Sequence, residues 1–242
     1  MLAGYLNDFK YWLKNHPNQF YNRLFLILKK VRSFEVPTPR VVNNVLYIFH
    51  KSLSGLANTA ARVLYFTPAF KGRVSQYGKQ LYLYGGLPYI SGPLKISVGD
   101  NCRISGQTTL SGRPCSDSPE LVVGSNVDIG WQTTIAVGQK VVIEDNVRIA
   151  GRAFLFGYSG HPIDATRRAA GEPDDDWQTG DIVLHKDVWL CTNVCVKHGV
   201  TIGEGTIVAA GSVVTSDLPP FVIAAGNPAK PIRELTTQQG KE

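Results

Sequence analysis

His161 is the second residue of the segment GHPID, residues 160–164, just before a long irregular stretch, 162–180. With an ordinary pKa near 6.5, an imidazole held beside a groove can take a proton from a hydroxyl at neutral pH, which is general-base chemistry. Asp164 and Glu172 lie in the same stretch, and either carboxylate could orient the imidazole and stabilise its charged form. The competing reading is a corner histidine that makes only a structural hydrogen bond. A second cluster, Cys191, Cys195 and His198, has metal-ligating side chains. A single CxxxC without a second pair is a weak metal signature, and these positions are expected to be inert thiols with no metal required. Together with Cys102 and Cys115 they form no disulfide framework, and no leader pattern precedes them, so a reducing, cytoplasmic setting is expected.

The elements that must position His161 have an unusual period. Leu184, Leu190, Val196, Ile202, Val208 and Val214 recur every six residues. Two residues before the later ones stand Val188, Val194, Val200, Thr206 and Ser212, all small or β-branched. Neither 3.6 nor 2.0 describes this spacing, whereas a parallel β-helix with three short strands per coil does. The same phase recurs upstream in Val98, Ile104 and Leu110, in Val123, Ile129 and Ile135, and in Ile143, Ile149 and Leu155. It slips at 111–120, 137–140 and 162–180. Slips in a solenoid are loops extruded from a corner, where binding residues concentrate. The pattern predicts coils over 95–215 after an irregular lead-in at 71–94, with a tail at 216–242 packing back beside the last coils.

Residues 1–70 lack the hexad and read as helix, with segments at about 17–32 and 38–66 separated by Pro37 and Pro39. Residues 1–80 hold 12 Lys and Arg against Asp8 and Glu35, although the whole chain is only +6. The basic character therefore belongs to the N-terminal third. The apolar run Leu24–Leu28, bordered by Arg23 and by Lys29, Lys30 and Arg32, is too short to span a bilayer. Three roles suit this region: a cap on the open end of the solenoid, a contact between subunits, or peripheral contact with an anionic membrane. Nucleic-acid binding is disfavoured, because apolar residues interleave the cations.

HPID with its following loop, then DVWLCTN, GTIVAAGSVVTSDLPP and AGNPAKPIREL, together resemble the hexapeptide-repeat O-acetyltransferases. The likeness is to maltose and galactoside acetyltransferases and to relatives that modify bacterial surface polysaccharides. It covers about 95–235 and leaves residues 1–94 outside. It implies a left-handed β-helix, against the usual right-handed crossover, and a homotrimer with acetyl-CoA bound between neighbouring subunits. By position it implies that His161 is the catalytic base and that Trp189 lies beside the coenzyme A chain. Thr192 and Ala210 would hold the pantetheine amides, and Thr215, Lys230 and Arg233 the nucleotide end and its phosphates. Two positions depart from the family pattern: Gln132 replaces a frequent asparagine near the acceptor, and Ser216 a frequent lysine near the phosphates.

The activity so implied is direct acetyl transfer to a carbohydrate hydroxyl, with Gln132 or a backbone amide donating to the oxyanion. The expected setting is surface-polysaccharide or lipid-linked glycan synthesis at the inner face of the cell membrane. A serine acetyltransferase shares the solenoid but has a larger helical domain. A carbonic anhydrase would want a second histidine where Thr166 stands. A non-catalytic scaffold would have no use for the GHPID and C-terminal motifs.

Overall fold

The computed structural model describes residues 2–236, so the last six residues of the 216–242 tail lie outside the described residues. The chain divides into two compact units, Met1–Ser54 and Gly55–Glu242. In the first, helix α1 (Leu2–Asn15) and helix α2 (Gln19–Arg32) form a hairpin, joined by ring contacts of Trp12 and His16 with Tyr21. Asn18 caps α2 by accepting from the Phe20 amide at 2.9 Å, satisfying one of its free N–H groups. Helix α3 (Arg40–Ala61) follows, its start set by the prolines at 37 and 39. Neither α2 nor α3 has a buried residue.

The second unit is a parallel β-solenoid. Coil 1 consists of strands Gln76–Tyr77, Tyr82–Tyr84 and Tyr89–Ser91, and coil 2 of Lys95–Val98, Arg103–Ser105 and Thr109–Gly112. Coil 3 is Glu120–Val123, Asp128–Ile129 and Thr134–Val137; coil 4 is Lys140–Ile143, Arg148–Ile149 and Phe154–Phe156. Coil 5 is Ile182–Leu184, Trp189–Leu190 and Cys195–Lys197; coil 6 is Thr201–Ile202, Ile207–Val208 and Val213–Val214. The strands stack into three sheets of six, eight and six. The second sheet gains a seventh layer, Val222–Gly226, and an antiparallel edge strand, Ala229–Glu234. This hairpin is the tail expected to pack back on the last coils.

Register follows from the hexads. Val98, Val123, Ile143, Leu184 and Ile202 pair in one ladder. Ile104, Ile129, Ile149, Leu190 and Val208 form the next, and Leu110, Ile135, Leu155, Val196 and Val214 the third. All fifteen side chains are buried, as are the residues two before them at the corners. Among the hydroxyls at these positions, Thr206 Oγ1 donates to the Pro219 carbonyl at 2.6 Å, whereas Thr108 Oγ1 is buried without a partner among the described residues. The turn after each first-sheet strand needs a residue in the left-handed region. Asn101, Asn126 and Asn146 supply it with φ near +60°, the Asn126 amide donating to Asn146 at 2.8 Å.

Residues 71–94 are not an irregular lead-in. They hold coil 1, with Tyr77 paired to Val98, Leu83 to Ile104 and Ile90 to Leu110. The spacing 77, 83, 90 breaks the period, and its first member is an exposed aromatic, so no hexad shows. Before it, helix α4 (Thr67–Arg73) buries Phe70 in the same apolar cluster as Leu83 and Ile96. At that end of the solenoid, Phe70 covers part of the apolar core.

Candidate active site

His161 leaves the solenoid just after the third strand of coil 4, at the corner between the third and first sheets. Its side chain is exposed, and its imidazole has no hydrogen-bond partner among the described residues. Its backbone, by contrast, is tied down. The His161 carbonyl accepts from Ser159 Oγ at 3.0 Å and from Gln178 Nε2 at 3.1 Å. Just upstream, Asp174 Oδ2 accepts from the amides of Ser159 at 3.2 Å and Gly160 at 3.1 Å. Asp174 is in turn held by Arg113, whose Nε donates to Oδ1 at 2.9 Å and whose Nη2 donates to the Asp174 carbonyl at 2.7 Å. Both side chains of this ion pair are buried, at 5% and 3% exposure.

This clamp joins two of the slips in the hexad pattern. Arg113 comes from 111–120, and Asp174, Asp176 and Gln178 from 162–180. A buried charge pair is stable only when its remaining hydrogen-bonding capacity is filled. Here the backbone leading into His161 fills it, so the geometry of that turn is a condition of satisfying the pair. Arg113 also donates to Asp176 at 3.0 Å, and its pKa is raised: the two carboxylates outweigh the burial that acts against its charge.

The two carboxylates expected to face the imidazole are engaged elsewhere. Asp164 caps helix α5 (Ala165–Ala169), accepting from the Arg167 amide at 2.8 Å. Glu172 accepts from Arg167 Nε at 2.6 Å, and the same guanidinium reaches Asp175 at 2.9 Å. Arg168 donates to the carbonyls of Pro162 and Ile163, at 3.1 and 2.8 Å, fixing the turn after the histidine. Arg113, Asp174 and Gln178 escaped notice in the sequence. The available signal was their placement inside slips, but nothing in the order of residues pairs position 113 with 174.

Gln132 stands at a different corner, between the second and third sheets, with φ +56°. Its Oε1 accepts from Arg152 Nε at 3.1 Å, and that guanidinium lies over the Trp131 ring at 4.9 Å. The whole third face of the prism separates Gln132 from His161 within one chain. The same corner carries Thr192 and Ala210 one coil apart, tied by the Gly211 amide donating to the Thr192 carbonyl at 2.9 Å. Trp189 is half exposed on the adjoining second sheet, and Lys230 and Arg233 lie exposed on its edge strand. Thr215 falls on the other side, just after the third strand of coil 6.

Thus Trp189, Thr192, Ala210, Lys230 and Arg233 make one lane along a single sheet and corner, while His161 and Thr215 lie across the third face. The lane could hold an extended ligand. It offers a flat aromatic side chain, small corner residues, and two exposed cations that no ion pair engages among the described residues. Cys191, Cys195 and His198 form no metal group: none of three or more His, Cys, Asp or Glu occurs among the described residues. Burial pushes the Cys191 thiol up, and burial together with Lys197 holds His198 below its ordinary value.

A three-sheeted solenoid wound from hexad coils is the architecture of hexapeptide-repeat proteins. Residues 181–216 match the family model described as bacterial transferase hexapeptide (six repeats). The chain is 39% identical over 118 residues to the galactoside O-acetyltransferase of Escherichia coli, covering 46% of this chain and 56% of that one. It is 36% identical over 140 residues to a provisionally named acetyltransferase of Staphylococcus aureus, covering 52% of this chain and 67% of that one. A hexapeptide-repeat acetyltransferase of Vibrio cholerae, solved in complex with acetyl-CoA, shares the fold. Its TM-score is 0.51 at 22% identity, over 86% of this chain and 98% of that one. The chain belongs to the hexapeptide-repeat acetyltransferase family. It spans little more than half the length of the galactoside enzyme.

Proposed function

We propose that this protein moves an acetyl group from acetyl-CoA to a sugar hydroxyl, working as a homotrimer with His161 as general base. The observation that carries this reading is the clamped turn. An imidazole free of side-chain partners is presented at a solenoid corner by a backbone that Asp174 and Gln178 hold in place. In this reading His161 takes the proton of the acceptor hydroxyl as its oxygen attacks the thioester carbonyl. The C–S bond then breaks, and the proton passes to the departing thiolate, leaving an acetyl ester and free coenzyme A.

The trimer is supported by the split of the site. His161 and the lane of Trp189, Thr192 and Ala210 lie on opposite edges of the third face, so a ligand touching both would bridge two copies. Helix α3 supports it independently. Val42, Leu46, Phe49 and Leu53 form an exposed stripe at heptad spacing, the pattern of helices that pack on one another. A sugar acceptor is supported by the likeness to the galactoside enzyme, and a surface-polysaccharide or lipid-linked glycan is the acceptor class that also suits the basic N-terminal helices. No described helix is long and apolar enough to cross a membrane.

The deciding experiment is acetyl-CoA turnover with galactosides and bacterial glycans as acceptors, read as released thiol, in wild type and His161→Ala. Loss of turnover with retained acetyl-CoA binding supports the reading; an unchanged rate overturns it.

A further inference from the structure

Helix α2 carries an apolar stripe that no described residue covers. Phe20, Ile27 and Val31 fall on one face, with Phe34 two residues past the helix end, and they are 65%, 58%, 67% and 73% exposed. Ile27, Val31 and Phe34 line a shallow groove together with Lys30. Arg23 and Lys30, seven residues apart, border this stripe along one side, and Lys29 and Arg32 add charge at the C-terminal end. The helix contains no acid, and none of these four cations is in an ion pair among the described residues.

Such a surface has two physical occupants to choose between. A second copy would cover the apolar stripe but would set four cations against four, with no carboxylate on either helix to compensate. An anionic lipid surface takes both features at once. The apolar side chains enter the acyl boundary, while Arg23 and Lys30 extend their alkyl stems along it and keep their charges at the headgroups. The rest of the unit points the same way: residues 1–54 hold eight Lys and Arg against Asp8 and Glu35.

We infer that α2 is a peripheral docking helix for anionic bilayers, lying in the plane of the headgroups with Phe20, Ile27, Val31 and Phe34 inserted. The inference does not depend on the acetyl-transfer reading, because its readout is vesicle binding.

The full-length protein is mixed with vesicles of phosphatidylglycerol and phosphatidylcholine in equal parts, or of phosphatidylcholine alone, and pelleted at low and high salt. Binding is expected only to the anionic vesicles, and is expected to fall at least tenfold at about 1 M salt, where the screening length is ~3 Å. Arg23→Glu with Lys30→Glu, and separately Ile27→Ser with Val31→Ser, should each reduce binding at least tenfold. All four positions are exposed, so both variants should keep the wild-type melting temperature. Absence of wild-type binding at low salt overturns the proposal, as does equal binding to both vesicle types. So does a fall in oligomer size in the Ile27, Val31 variant by sedimentation, which would assign the stripe to contacts between copies.

Discussion

On the proposed reading, His161 supplies the chemistry of one corner, and Asp174 and Arg113 its placement. A positioned general base contributes about 10²–10⁴ in rate. His161→Ala is therefore expected to lower kcat by that factor while leaving acetyl-CoA affinity nearly intact, and Arg233→Ala should do the reverse. Isothermal titration beside steady-state kinetics separates the two. Asp174→Asn probes placement, and also neutralises one member of the buried pair with Arg113, so its stability is measured alongside. The amide can still accept from Arg113, but its NH₂ would face the Ser159 and Gly160 amides, donor against donor, where Oδ2 now accepts from both. The turn should shift and kcat fall roughly ten- to hundredfold, since about 1 Å of misplacement costs that much, with KM for acetyl-CoA nearly unchanged. Wild-type kcat in this variant would show that the clamp serves stability only.

The coils are held by aliphatic ladders rather than by any single contact. Leu190 stacks between Ile149 and Val208 in the second sheet and is fully buried. Leu190→Ala should cost about 2–5 kcal/mol, the usual range for a truncated core leucine. Leu190→Asp should be worse, because its carboxylate would be buried with no partner. Chemical denaturation of both variants tests the register directly: an Asp variant as stable as wild type would mean that position 190 does not face the core. The edge strand Ala229–Glu234 manages its open side with Pro231, Lys230 and Arg233, residues unsuited to accepting another strand. Two of these, Lys230 and Arg233, are the cations proposed for the phosphates, and on that reading one strand would serve edge protection and ligand binding together.

At the scale of the molecule, the exposed stripe of α3 and the proposed split site both support the proposed trimer. Loss of the trimer should abolish turnover even where each chain stays folded. Charged substitutions at Leu46 and Phe49, both exposed in the single chain, are expected to lower the sedimentation coefficient and the activity in parallel. An active monomer would remove the shared-site reading.

Hexad periodicity is a property of each coil repeated locally, so the solenoid, its inward residues and their ladders could be read from residue order alone. The helices at 19–32 and 40–61 were legible for the same reason, being set by prolines and an apolar stripe. Coil 1 was not, because Tyr77, Leu83 and Ile90 keep the pairing while breaking the spacing. His161 stood out as a histidine at the mouth of a slip, yet its supports could not be named. Arg113 and Asp174 are 61 residues apart, and only the stacking of coils brings their two loops together. Contacts within the loop turned Asp164 to the start of α5 and Glu172 to Arg167, while the winding of the coils set Gln132 across the prism from His161. Local sequence determines which residues face inward; which loops meet at a corner depends on how many residues each coil spends before it, and that sum is settled only when the whole solenoid is wound.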